Sequence, residues 1–376
     1  MKLLKHTDKI LLIVSLFLFS IGLVMIFSSS NIAAFMRYNK SPYNFLFKQG
    51  LSLFIGLILF LVIIRFNTKT YSALSWLALL VGFMLLLFVN FFGPIINDTR
   101  SWIRIGSFSF QPSEFVKVIL IVWYAAFFEL NRHKLNSLFT NFFPLIISSI
   151  ISAAIILQPD FGTAGIIMLI SFLMYTLMPS KRSVKIKVLF ISLFIITFAI
   201  MGYYIYDTSS FQRQIGRFDY RNPCSEEKFY TTGNQVCNSY IAFNNGNMWG
   251  KGLGNSTQKY LYLPESHTDF IFAIVVEELG FVLSSVIIIL FMVLLWRIIY
   301  IGRNSSSSRG SVMCYGVAIY IFLHMSINLL GIMGLLPLTG VPLPFLSYGG
   351  SFTISLICSL AIVQRISIEN KMNKKK

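Results

Sequence analysis

An all-α, polytopic membrane fold is predicted by three observations. Of 376 residues, 56% are hydrophobic and only 12% are charged, too few polar side chains to cover a soluble globule. The mean hydropathy is +0.72. Apolar runs of about 20 residues, enough to cross roughly 30 Å of hydrocarbon, recur about ten times. They lie near residues 10–29, 48–65, 72–93, 113–130, 141–157, 162–178, 186–206, 268–300, 311–335 and 347–367.

The first span follows Lys2, Lys5 and Lys9 as a signal peptide would, but no small-residue cleavage site follows it, so it is expected to stay as an anchor. A net charge of +17 would suit nucleic acid if it were clustered, yet the basic residues fall in loops on alternating sides of the spans. Arg132 and Lys134 follow the fourth span, Lys181, Arg182, Lys185 and Lys187 the sixth, Arg303 and Arg309 the eighth, and Lys371 to Lys376 end the chain. This is a positive-inside pattern with both termini cytoplasmic, and no nucleic-acid partner is expected. The one long outer connection, residues 207–267 within a single 1–376 transmembrane domain, is rich in Asn, Gly, Tyr and charge and is expected to fold against the membrane mouth. Cys224 and Cys237 lie in it, on the side where disulfides persist, and either pair or stay free, whereas Cys314 and Cys358 fall in apolar helices. Before the last span, Pro337, Pro342 and Pro344 with Gly340, Gly349 and Gly350 forbid a continuous helix. A re-entrant segment is expected there, because irregular backbone at membrane depth must be buried in protein or line a wet cavity.

Polar residues inside such spans are costly, so each is a candidate for function. Glu114 and Lys117 open the fourth span three residues apart, on one helix face. They form either a cavity-lining pair or a carboxylate at a helix start with a snorkelling lysine. Arg104, ten residues earlier in SWIRIGSF, is either a fixed cation for a pyrophosphate or a structural loop arginine. Gln158 and Asp160 lie in a connection too short to leave the membrane surface, where Asp160 could equally cap the sixth helix. Thr339, Ser347, Tyr348 and Ser351 of the re-entrant segment could face a polar substrate. Asp269, three residues after Ser266, reads as a capping-box variant at the mouth of the eighth helix or as a functional acid. At 100° per residue Glu277 falls near the Asp269 face and Glu278 nearly opposite, so Glu277 is expected to share the Asp269 cavity and Glu278 to pair with another helix. His267 is a local hydrogen-bond candidate, and His324, in an apolar helix, reads as a packed histidine.

Four blocks in order, QPSEFVK from Gln111, QPDFGTA from Gln158, PESHTDFIFAIVVEELG from Pro264 and GLLPLTGVPLPFLSYGGS from Gly334, resemble the SEDS family of FtsW and RodA peptidoglycan glycosyltransferases. The resemblance implies polymerisation of lipid II into glycan strands at the outer face of the bacterial cytoplasmic membrane. Asp269 would be the catalytic residue, a general base on the acceptor hydroxyl. Arg104, Gln111, Glu114, Lys117, Gln158, Asp160, His267, Glu277, Thr339, Ser347 and Ser351 would line the substrate. A divalent cation, Mg or Mn, held by Asp269 and Glu114 could offset charge on the leaving pyrophosphate. The implied partners are a class B penicillin-binding protein acting as transpeptidase, other divisome proteins and membrane lipid. GNSTQKYLYLPESHTDFIF from Gly254 resembles the division branch more than the elongation branch, which implies work at the septum, although the two cysteines and the Asn pair of NPCSEEKFYTTGNQVCNSYIAFNN from Asn222 depart from the usual pattern. A lipid II flippase would also suit ten spans with a broken segment, and a non-catalytic divisome scaffold would tolerate loss of Asp269; no inverted repeat of the kind transporters use is visible.

Overall fold

In the computed structural model, residues 6–96, 99–106, 108–178, 180–206, 208, 222–229 and 233–373 are described. The start of the chain with Lys2 and Lys5, most of 207–221, residues 230–232 and the last lysines of the basic tail lie outside them. Ten long helices follow the ten expected spans. They are α1 (Lys9–Met36), α2 (Asn44–Ile63), α3 (Thr68–Phe92), α4 (Pro112–Leu130), α5 (Leu138–Ile156), α6 (Phe161–Thr176) and α7 (Arg182–Tyr206). After two short helices of the outer connection, α8 (Glu226–Phe229) and α9 (Asn234–Gly246), come α10 (Ile271–Arg303), α11 (Ser308–Ile332) and α12 (Gly350–Asn373). Seven of the ten are both long and apolar enough to cross a membrane. The chain is a multi-pass membrane protein. A small hairpin of β1 (Ile103–Ile105) and β2 (Phe108–Phe110), paired Ile103 to Phe110, precedes α4.

The helices differ in what they touch, and their composition follows. In α2 only 17% of the most apolar stretch is buried in protein, and Phe47, Leu51, Phe54 and Leu57 point outward as a lipid-facing surface requires. In α12 the buried share is 94%, so this helix meets protein rather than lipid and carries Ser355, Ser359, Gln364 and Arg365. The centre is α4, with Trp123 and Tyr124 wholly buried, against α3, α11 and α12. The connections that hold Gln111, Asp160, Asp269 and the re-entrant residues 333–349 all lie at one end of the bundle, and both described termini lie at the other.

α10 is not a continuous helix. Gly280 sits at φ 79°, ψ 175°, and the backbone bonds lost there are replaced by the segment after α9. Lys251 N and Gly252 N donate to the carbonyls of Glu277 and Glu278 at 2.9 and 3.0 Å. Phe281 N and Val282 N donate to those of Asn247 and Met248 at 2.9 and 3.2 Å. An unpaired amide at this depth is costly, so the break is stable only because another chain segment fills it.

Candidate active site at the end of the bundle

The segment His267–Thr268–Asp269 is held by its backbone. Its three consecutive carbonyls accept from Tyr348 N at 2.9 Å, from Ser347 Oγ at 2.6 Å and from Asn328 Nδ2 at 2.7 Å. Asn328, on α11, also donates to Val341 O at 2.8 Å, tying the re-entrant segment to the mouth of α10. Its two carbonyl partners fix the amide orientation, and its buried Oδ1 has no partner among the described residues.

With the backbone so held, the Asp269 carboxylate is left over. Among the described residues it accepts no hydrogen bond, and the residue at the helix N-cap is Phe270, without a side-chain cap. The capping-box expectation is therefore corrected: Ser266 Oγ donates instead to Ser29 O on α1 at 3.3 Å. Gly340, at φ 67°, lies where an added Cβ would stand in ordinary contact with Asp269 Oδ2, at 3.6 Å, so it is the turn rather than lack of space that favours glycine beside the acid. Asp269 precedes the first residue of α10 and keeps some solvent exposure while protein crowds it elsewhere. Burial first, and the nearby Glu265 carboxylate second, push its pKa up to about 7. His267 is buried with Nδ1 unpartnered among the described residues, its ring against Phe45 at 4.5 Å and Tyr348 at 5.9 Å. Burial lowers its pKa, Glu265 opposes that and Arg37 adds to it, which favours the neutral ring.

A polar strip runs beneath this mouth. Asp160 does cap α6, accepting from Thr163 N at 3.0 Å, and its second oxygen accepts from Gln111 Nε2 at 3.3 Å. Gln111 N in turn donates to Ser351 Oγ at 2.9 Å, and Ser351 donates to Ser109 O at 3.2 Å. Lys117 Nζ lies 2.9 Å from Glu114 Oε1 and 3.0 Å from His324 Nε2, with all three side chains buried. His324 thus packs on Phe352, as a histidine in an apolar helix should, and also faces the lysine. Among the described residues Glu114 Oε2 has no partner. Thr339 is exposed and abuts Gly162, whereas Gln158 is buried with Nε2 bonded to Leu86 O at 3.0 Å and braces α3. Arg104 is exposed on β1.

Glu277 is placed elsewhere. Its oxygens accept from Ser256 Oγ, from Thr257 Oγ1 at 2.7 Å and from Asn245 Nδ2 at 2.9 Å, with Lys251 Nζ at 3.4 Å. The expectation that it shares the Asp269 cavity is corrected, because α10 begins only at Ile271 and the 100° count does not extend back across Asp269 and Phe270. Glu278 pairs with Lys259 Nζ at 3.0 Å and accepts from Ser28 Oγ of α1 at 2.7 Å. Cys224 and Cys237 are joined as a disulfide that ties α9 to the turn before α8. Sequence reasoning passed over Asn328, a lone amide in an apolar run, and Lys259, masked by its loop.

A family model described as "FTSW_RODA_SPOVE: Cell cycle protein" matches residues 8–372. The chain belongs to the FtsW/RodA/SpoVE family. Among relatives, the "Probable peptidoglycan glycosyltransferase FtsW" of Bacillus subtilis is 37% identical over 386 aligned residues, spanning 100% of this chain and 94% of that protein. "Stage V sporulation protein E" of the same organism is 34% identical, spanning 96% of each. The fold of this family member matches a chain of a solved complex described as "Structural coordination of polymerization and crosslinking by a peptidoglycan synthase complex". The TM-score is 0.76 at 22% identity, over 96% of this chain and 97% of that one. The crystal structure of the Thermus thermophilus rod shape determining protein RodA gives 0.66 at 20% identity over 96% of each.

Proposed function

We propose that this protein is a peptidoglycan glycosyltransferase that polymerises lipid II at the outer face of the cytoplasmic membrane, with Asp269 as general base. The names of its family relatives support the reaction class. The observation that carries the residue assignment is the Asp269 carboxylate: backbone-anchored, free of any cap and set among polar side chains at the mouth of the bundle. A pKa near 7 suits a base that must take a proton and later release it. Asp269 takes the proton of the acceptor sugar hydroxyl as that oxygen attacks the anomeric carbon of the donor. The carbon–oxygen bond to pyrophosphate breaks with inversion, and undecaprenyl pyrophosphate leaves with the bonding pair.

Among the described residues Glu114 Oε2 in the strip and Asn328 Oδ1 beside Asp269 are unfilled acceptors, which suits a donor-rich saccharide. Lys117 is held by Glu114 and His324, so it orders the strip, whereas Arg104 is exposed and free to meet the pyrophosphate. A Mg or Mn ion would suit the unpaired Asp269 carboxylate better than Glu114, whose one oxygen is already on Lys117. No cluster of three or more His, Cys, Asp or Glu side chains stands among the described residues, so such an ion would take its other ligands from pyrophosphate and water. The basic loops at the terminal end support an orientation with both termini in the cytoplasm. The division-type relatives support work at the septum beside a class B penicillin-binding protein and other divisome proteins.

The test is Asp269→Asn, which keeps shape and removes charge. Loss of a positioned base costs about 100- to 10,000-fold in rate. The purified variant, with its transpeptidase, is expected to fold and to make no detectable glycan from lipid II. Near-normal polymerisation would remove Asp269 from the chemistry. Lipid II translocation by the wild type without polymerisation would replace the reading by a flippase.

A further inference from the structure

Two side chains of α11, four residues apart, face successive carbonyls of the re-entrant segment. Asn328 Nδ2 donates to Val341 O at 2.8 Å, and His324 Nδ1 stands 3.5 Å from Pro342 O. Residues at this spacing share a helix face, so both contacts act on the same short stretch. That stretch begins at Gly340, where an added Cβ would stand 3.6 Å from Asp269 Oδ2, and Asn328 Nδ2 also reaches Asp269 O at 2.7 Å. The position of residues 340–342 beside Asp269 is therefore set from α11.

The other ring nitrogen of His324 faces a different element. Nε2 lies 3.0 Å from Lys117 Nζ of α4, and that ammonium lies 2.9 Å from Glu114 Oε1. All three side chains are buried, with His324 and Lys117 at 0% exposure and Glu114 at 3%. A lysine ammonium has three donors and no acceptor, so the ring nitrogen it meets must present its lone pair. The proton of the neutral imidazole then belongs on Nδ1, and Pro342 O stands where it can accept. The ring is stacked on Phe352 at 4.8 Å and meets Tyr320 edge-on at 4.8 Å, which fixes its plane and hence the direction of both nitrogens. Packing explains the stacking, but it does not explain a polar partner for each nitrogen on two different elements.

We propose that His324 is a positioning residue for the transfer reaction: as the Nδ1–H tautomer it bridges the buried Glu114–Lys117 pair to the Pro342 carbonyl and so holds the re-entrant segment beside Asp269. The inference rests on the polymerase reading of the preceding section. His324 acts through the segment rather than on the substrate. A misplacement of about 1 Å near the chemistry can cost on the order of 100-fold in rate, and it falls on turnover rather than on binding.

The test has two arms. In the first, the wild type is isotope-labelled in its four histidines and studied in nanodiscs by magnetic resonance, with His324 identified as the signal lost in His324→Gln. One neutral form is expected, protonated at Nδ1 and bare at Nε2; an Nε2–H tautomer or an imidazolium overturns the proposal. In the second, lipid II polymerisation is measured with the transpeptidase present. His324→Phe keeps the ring and its stacking but neither nitrogen, and is expected to lose about 10- to 100-fold in kcat with KM within about threefold of the wild type. His324→Gln keeps one donor and one acceptor and should stay within about threefold in both constants. Equal kcat in the two variants, or a loss that falls on KM alone, overturns the positioning role. Should the phenylalanine protein not fold, the tautomer decides. Because the tautomer is read without turnover, its failure strikes the bridge, whereas a wild type that shows it and makes no glycan strikes the polymerase reading alone.

Discussion

Asp269, Asp160 and Glu277 are acids at the same end of one bundle, and what each touches separates their tasks. Asp160 gives one oxygen to a helix cap, Glu277 gives both to the outer loop, and Asp269 gives neither. Asp269 was readable in the sequence because its block is long and ordered among three others. Asn328 was not, since a single amide in an apolar run shows its importance only when its two carbonyl partners, 59 and 13 residues away, are brought to it. The surroundings of Asp269 also set a pH dependence. Its carboxyl must be ionised to act as base, and burial with Glu265 holds the pKa at about 7, so polymerisation should rise with pH through that region. Glu265→Gln removes the like charge and leaves burial in place. The rising limb of the rate profile is then expected to move to lower pH with the plateau retained, measured as initial lipid II consumption between pH 5 and 9; an unmoved limb would exclude Glu265 as a contributor.

The spans were legible at the level of elements because lipid demands long apolar runs, and the helix ends fall within about four residues of those expected, except that α1 runs on to Met36 and α12 to Asn373, past the expected ends at 29 and 367. What escaped is what the runs conceal. The break inside α10 rests on Gly280 in the continuous sequence VVEELGFV, and a lone glycine in a helical pattern is ordinarily just a weak helix residue. Its meaning comes from Gly250, whose backbone N would stand 2.3 Å from a Cβ on Gly280. Gly280→Ala therefore combines a φ that L side chains avoid with a collision against backbone. The expected cost is about 3 kcal/mol or more, with the 247–252 segment displaced. Gly254→Ala is the comparison, since its φ of 82° is strained but nothing lies within 4 Å of the added methyl, and about 1–2 kcal/mol is expected. Thermal unfolding in detergent and the rate of tryptic cleavage at Lys251 would measure both; equal effects of the two changes would mean that the packing of Gly250 on Gly280 contributes nothing.

Across the whole molecule, the last helix closes the bundle at the end opposite the site. Gln364 exchanges hydrogen bonds with the backbone of Asp8 at 2.7 and 2.9 Å, Lys371 Nζ reaches Thr7 O at 2.8 Å, and Glu369 accepts from Thr68 N and Oγ1 at 2.9 and 2.7 Å. α12 thereby joins the start of α1 to the link between α2 and α3, which explains how a helix of modest hydropathy can occupy the interior. Its hydrophobic period could not reveal this, because a helix surrounded by protein has no lipid-facing stripe to contrast with. Asp8 also accepts from Arg297 of α10, Nε at 2.9 Å and Nη2 at 2.6 Å. Burial by itself would raise the Asp8 carboxyl, but Arg297, the Leu11 amide and Lys371 outweigh it and hold the pKa below its ordinary value. The folded state therefore binds the proton less readily than the unfolded chain, so the stabilisation is complete well above the unfolded pKa of about 3.9 and is lost as pH falls through the lower folded value. Asp8→Asn keeps the cap to Leu11 and removes the charge opposite Arg297, at an expected cost of about 1–3 kcal/mol at pH 7. The difference in melting temperature between wild type and variant should be constant from pH 7 to 5 and shrink below about pH 4; a difference that persisted undiminished at pH 3 would show that shape, not charge, makes this contact.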